Sequence, residues 1–138
     1  SDPSFIPSFY NRDYIMTCSD GWTVPKDMTQ PHPRCYGAFP QRLVKYTDRQ
    51  NPLDFSRAIR SMTSLPAEKF RMEKRGKIKK GYFADIAIIN PNQLKVKATY
   101  RDPHQYSSGI EHLLVNGTLS IQNGTATGNR AGKGIRKT

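Results

Sequence analysis

The chain has 138 residues, 36% of them hydrophobic and 24% charged, enough for one domain and too few for two ordinary ones. Its 22 Lys and Arg against 11 Asp and Glu leave a formal net charge of +11, which raises nucleic acid or an anionic membrane surface as partners. No apolar run approaches the ~20 residues needed to span a bilayer, and Ser1-Asp2-Pro3-Ser4 has neither the charged region nor the apolar core of a signal peptide, so a soluble cytoplasmic chain with no membrane partner is expected. The first residue is not Met, which reads as a beginning that has been cut.

In chain order, Tyr14 to Cys18 is short, apolar and β-prone, and it stops at the turn signal Ser19-Asp20-Gly21. A buried strand delivering an acid to its carboxyl end is expected. Trp22 to Arg34 contains three prolines and no periodicity, the mark of a long irregular loop. Phe39, Leu43, Val44 and Tyr46 fall at helical spacing, with Pro40 placed in the first turn. A second helix is expected from about Leu53, because Phe55, Ala58, Ile59 and Met62 share one face, and Leu65-Pro66-Ala67-Glu68 opens a short third one.

After Phe70 the texture changes to turns and strands. Ala84 to Ile89 reads as a nearly continuous apolar strand stopped by Asn90-Pro91-Asn92. Ile110 to Val115 and Thr118 to Ile121 flank Asn116-Gly117, a strong hairpin signal. Asn123-Gly124 is a second turn of that kind, and both outweigh the glycosylation pattern that they also match. The chain thus divides into residues 1–70, one strand with a loop and helices, and residues 71–138, a set of strands that needs partners from elsewhere.

The positive charge gathers in Arg71, Lys74, Arg75, Lys77, Lys79 and Lys80 and in the tail Arg130, Lys133, Arg136 and Lys137. Neither cluster interleaves aromatics or lies on a base-reading helix, so both read as solvated faces rather than a nucleic-acid surface. Cys18 and Cys35 read as small buried thiols in a reducing compartment. His32, His104 and His112 form no ligand pair, so no metal site is expected within this chain. Asp85, in an apolar strand, needs a partner and is expected to take hydrogen bonds from the backbone of the Gly76 to Gly81 turn. His104 and Tyr106 read as structural.

Five segments in order carry a resemblance: Ser19-Asp20-Gly21, His32-Pro33-Arg34-Cys35-Tyr36-Gly37-Ala38-Phe39-Pro40, Met62-Thr63-Ser64-Leu65-Pro66-Ala67, Gly81-Tyr82-Phe83-Ala84-Asp85 and Leu114-Val115-Asn116-Gly117. Asp102-Pro103-His104-Gln105-Tyr106-Ser107 fits the same pattern. Together they resemble the carboxyl-terminal part of the D-aminoacylases, the N-acyl-D-amino-acid deacylases of the amidohydrolase superfamily, from about Tyr14 to about Gly128.

That resemblance implies an α/β chain: the last strand and helices of a metal-dependent (β/α)8-barrel hydrolase, followed by part of a small β-sandwich domain. It implies zinc in the complete enzyme, held by histidines and other ligands on earlier strands that this chain lacks, and an N-acyl-D-amino acid as substrate. Asp20, at the carboxyl end of a barrel strand, would then take a proton from the attacking water and return one to the leaving nitrogen. The alternative for Asp20 is an Asx-turn with the backbone near Gly21. Arg34 would clamp the substrate's α-carboxylate with its planar guanidinium, against the alternative of a solvated loop residue. His32 reads as a hydrogen-bonding loop residue, not a ligand.

Two other classes stay open: a basic nucleic-acid-binding module and a non-catalytic assembly piece. On the leading reading, the chain without its missing amino-terminal part is expected to hold no zinc tightly and to be inactive. It is also expected to self-associate through exposed strand edges and to be partly disordered before about Tyr14.

Overall fold

The computed structural model describes residues 9–10, 12–45, 47 and 52–135. Tyr46 of the expected helix, Arg136 and Lys137 of the basic tail, and most of the stretch before Tyr14 lie outside the described residues. Among the described residues, α1 (Arg34–Lys45), α2 (Pro52–Met62) and α3 (Ser64–Lys69) precede a sheet of β1 (Ile86–Ile89), β2 (Ile110–Val115), β3 (Thr118–Gln122) and β4 (Thr125–Ala126).

The sheet is antiparallel throughout, in the order β1-β2-β3-β4. Asn116 (φ 48) and Gly117 (φ 81) both take the left-handed conformation, as a two-residue hairpin turn between right-twisted strands requires. Asn123 (φ 49) and Gly124 (φ 74) repeat the device between β3 and β4. Among the described residues β1 pairs only with β2, so one side of it is an open edge, and Ile88 stands 46% exposed there.

The core lies where the helices meet the sheet. Leu43 of α1, Ala58 of α2 and Leu94 are buried together, with Phe55, Ile59, Met62, Ile89 and Ile110 packed around them. The α2 contributors are the four residues at i, i+3, i+4 and i+7, so the helical period read from the sequence is the one that packs. A second group centres on Arg42, which is fully buried. It donates to Thr47 Oγ1 at 2.8 Å and to the Tyr10 carbonyl at 3.2 Å, and burial lowers its pKa against the opposing pull of Asp54.

Three expectations need correcting. Tyr14 to Cys18 forms no ladder among the described residues. The segment runs along the end of α2, where the Thr17 N–H donates to the Ser61 carbonyl at 3.0 Å, and Tyr14 is 71% exposed. A β-prone run becomes a strand only where another strand answers its hydrogen bonds. The first helix begins at Arg34 rather than near Phe39, so Pro40 lies in its interior. The Pro40 ring leaves the Tyr36 carbonyl without its helical donor, and Ser107 Oγ supplies a long hydrogen bond of 3.5 Å to that carbonyl. Asp85 takes its hydrogen bonds not from the Gly76 to Gly81 turn but from the Arg75 side chain and, at 2.8 Å, from the Asn116 N–H. It thereby ties the basic turn to the hairpin.

Two cations of the first basic cluster are thus locally neutralised, Arg75 by Asp85 and Lys77 by Glu68 at 2.7 Å. Between β1 and β2 the chain makes a long excursion from Asn90 to Gly109. Its base is closed by the Asn90 N–H donating to the Gly109 carbonyl at 2.8 Å and by the bridge between Lys95 and Ser108. This excursion crosses to α1, where Gly37 admits Val96: a Cβ at Gly37 would lie 2.7 Å from the Val96 side chain.

Candidate functional site

The site begins where the Ser19-Asp20-Gly21 turn meets the start of α1. A Cβ on Gly21 would stand 3.1 Å from Cys35 Cα and 3.4 Å from its Sγ, so the absence of a side chain lets the two segments touch. Asp20 has φ 48, the left-handed region that Asp tolerates better than most residues. The turn is fixed by Ser19, whose Oγ accepts from the Gly21 N–H at 3.1 Å, and not by an Asx-turn of Asp20. The Asp20 carboxylate is left to face outward, with Oδ2 3.0 Å from Arg34 Nη2.

The two residues expected to carry chemistry are therefore brought together. Both ends of the pair are open to solvent, with side chains 37% exposed for Arg34 and 81% for Asp20, so the pair contributes about 0–1 kcal/mol and is readily exchanged. Arg34 Nε is buried and has no hydrogen-bond partner among the described residues. A cavity of about 470 Å³ opens beside it, lined by Ser19, Gly21, Trp22, Arg34, Tyr36, Phe39 and Tyr106 among others. Its lining combines Arg34 with four aromatic residues, Trp22, Tyr36, Phe39 and Tyr106, and with small or aliphatic ones such as Val24, Ala38 and Pro40.

The histidines organise this region. His32 Nδ1 accepts from the Arg34 N–H at 3.0 Å and caps the first turn of α1. Its Nε2 lies 3.0 Å from the Tyr100 hydroxyl. His104 bridges Tyr36 Oη, 2.7 Å from its Nδ1, and the Met28 carbonyl, 2.6 Å from its Nε2. Tyr106 packs edge-on against Tyr36 with ring centres 5.4 Å apart. Burial pushes the Tyr36 hydroxyl above the usual tyrosine range, with Tyr106 and Cys35 adding to the effect, so it stays protonated and able to donate. Cys18 is exposed rather than buried and Cys35 is half-buried; the Cys18 thiol accepts from the Asp20 N–H at 3.4 Å. Among the described residues no three His, Cys, Asp or Glu side chains gather as a metal site.

Residues 12–121 match the sequence profile of the amidohydrolase family. The chain belongs to that family. It is 35% identical over 123 residues to the D-aminoacylase of Alcaligenes xylosoxydans xylosoxydans, a match covering 89% of this chain and 25% of that enzyme. The N-acyl-D-glutamate deacylase of Bordetella bronchiseptica, solved with zinc and a phosphonate mimic of the reaction's tetrahedral intermediate, is 32% identical. It superposes with a TM-score of 0.75 over 91% of this chain and 27% of its own. A D-aminoacylase solved in a study of its binuclear metal centre gives a TM-score of 0.67 at 35% identity, covering 74% of this chain and 22% of that one. The chain spans about a quarter of the length of the amidohydrolases it matches.

The resemblance drawn from Asp20, Arg34 and the motifs around them thus stands. The segment from Asp102 to Ser107, which fits the resemblance and whose His104 and Tyr106 read as structural, reaches this site, and Tyr100, which the sequence did not single out, comes with it. The signal was a His and two Tyr in a loop that no helical or strand period claims.

Proposed function

We propose that this chain is the carboxyl-terminal part of a metal-dependent hydrolase that cleaves the amide bond of N-acyl-D-amino acids. Asp20 carries the proton and Arg34 binds the substrate's α-carboxylate. The observation that carries the reading is the meeting of Asp20 with Arg34 at 3.0 Å, where Arg34 also lines the cavity. One charge suits a recognition element of the substrate and the other suits the proton transfer that amide cleavage needs. The zinc and binuclear centre named for the relatives support a metal in the whole protein.

The described residues do not form a site for such an ion, since no three candidate ligands gather among them. Its ligands would come from the rest of the longer protein, and the steps assigned here run through Asp20 and Arg34 alone. Asp20 accepts a proton from the attacking water and then delivers one to the departing nitrogen, which would otherwise leave as a poor anion. Arg34 has its Nη2 in an exposed, exchangeable pair and its Nε, on the same edge, without a partner among the described residues. A carboxylate on that edge gains two parallel charged hydrogen bonds. Tyr14 to Cys18 would be the last barrel strand, its ladder supplied by a preceding strand, and β1 to β4 would belong to the small β-sandwich domain.

Arg34→Lys in the complete protein tests the recognition role. A point charge loses one of two directed hydrogen bonds, so KM for the carboxylate substrate should rise about tenfold or more, on the order of 1–3 kcal/mol. The rise should vanish for an analogue whose α-carboxylate is a neutral carboxamide. An unchanged preference for the carboxylate removes Arg34 from the site.

A further inference from the structure

The excursion between β1 and β2 holds the loop that carries Arg34, and two imidazoles make the joins. His32 Nδ1 faces the Arg34 backbone N–H at 3.0 Å. That group can only donate, so Nδ1 is unprotonated, and the neutral ring carries its proton on Nε2, directed at the Tyr100 hydroxyl. In His104 it is Nε2 that meets a carbonyl, that of Met28 at 2.6 Å, which can only accept. Nε2 therefore bears a proton, and Nδ1 lies 2.7 Å from the Tyr36 hydroxyl.

Each ring thus joins the segment from Tyr100 to Ser107 to the irregular loop or the first turn of α1. Within residues 22–33, among the described residues, one backbone hydrogen bond joins two members, Met28 N–H to the Pro25 carbonyl at 3.2 Å, while the His32 and Pro33 carbonyls accept from Cys35, Tyr36 and Gly37 at the start of α1. Their geometry is imposed from outside. Tyr36 and Tyr106 line the cavity, whereas His104 and Tyr100 do not, so any influence of the latter two passes through Arg34 and its neighbours. A bidentate clamp tolerates little displacement, and an ångström of misplacement is enough to weaken it.

We propose that His104 and Tyr100 are positioning residues for the substrate carboxylate, acting through the loop and helix start that hold Arg34. The inference rests on the Arg34 reading given above. In the complete, metal-loaded protein, His104→Ala and Tyr100→Phe should each raise KM for an N-acyl-D-amino acid about five- to tenfold, the loss of one hydrogen bond. kcat should stay within about twofold, and the carboxamide analogue should be handled as by the parent. His104→Gln, whose side-chain NH2 can donate to the Met28 carbonyl, should recover most of the loss.

Equal weakening for carboxylate and carboxamide substrates, a fall confined to kcat, or His104→Gln behaving as His104→Ala overturns the proposal. Should His104→Ala fail to fold, Tyr100→Phe decides, because it removes one hydroxyl from a ring that is 74% exposed. Arg34→Lys measured alongside separates the two claims. If it leaves the carboxylate preference unchanged, the Arg34 reading fails and this one with it. If it lowers that preference and neither His104→Ala nor Tyr100→Phe does, only the positioning role is wrong.

Discussion

Asp20→Asn in the complete protein is expected to lower kcat for amide hydrolysis by about 10²–10⁴-fold, the usual contribution of a positioned proton carrier. The substitution keeps the side chain's shape, and the amide oxygen can still accept from Arg34 Nη2, 3.0 Å from the carboxylate in the parent. What is lost is the basic oxygen that takes and returns a proton. Because the Asp20 side chain is 81% exposed and the turn is held by Ser19 instead, folding and metal content should be nearly unchanged. Near-normal turnover would end Asp20's role, and loss of bound metal along with activity would make it a ligand rather than a proton carrier.

The largest effect on stability is expected at Gly109, where the excursion carrying Tyr100 and His104 returns to the sheet. Its φ is +85, and a Cβ there would lie 2.5 Å from Leu94 Cα and N and 2.7 Å from the Gln93 carbonyl carbon. Those are backbone atoms beside a core residue only 4% exposed, so they cannot swing aside as a flexible side chain does. Left-handed backbone costs a side-chain-bearing residue about 1–2 kcal/mol, and overpacking adds about 1–3 kcal/mol. Gly109→Val should therefore destabilise the complete protein by about 3 kcal/mol or more and weaken carboxylate binding with it. Gly117→Ala is the control: its φ is +81 but nothing stands within 4 Å of the added Cβ, so only the conformational cost applies. Equal melting temperatures for the two variants would show that Leu94 gives way and that the excursion is not anchored there.

What the sequence revealed and what it hid have physical reasons. The α2 face and the Asn116-Gly117 hairpin were legible because each depends on local rules: a helical period that buries Phe55, Ala58, Ile59 and Met62, and two residues that accept positive φ. The start of α1 was hidden because its cap is the His32 ring, outside the usual Ser, Thr, Asp and Asn signals, and because an interior Pro40 argues against a helix until Ser107 is known to meet the freed Tyr36 carbonyl. The partners of Asp85 were hidden because Asn116 lies 31 residues away and meets it only through the folded sheet, and because the donor beside the Gly76 turn is the Arg75 side chain rather than the turn's backbone. Of the site, Asp20 and Arg34 were named from motif and resemblance, but their pairing depends on Gly21 admitting Cys35, a contact between segments that no periodicity encodes. Tyr100 escaped for the same reason, and His104 was legible as a structural loop residue while its partners Met28 and Tyr36 were not.

The most direct test of the central claim is the release of free amino acid from matched N-acetyl-D- and N-acetyl-L-amino acids by the purified, zinc-loaded complete protein. Turnover of the D enantiomer in strong preference to the L is expected. No turnover of either enantiomer with metal bound, or equal turnover of both, would contradict it.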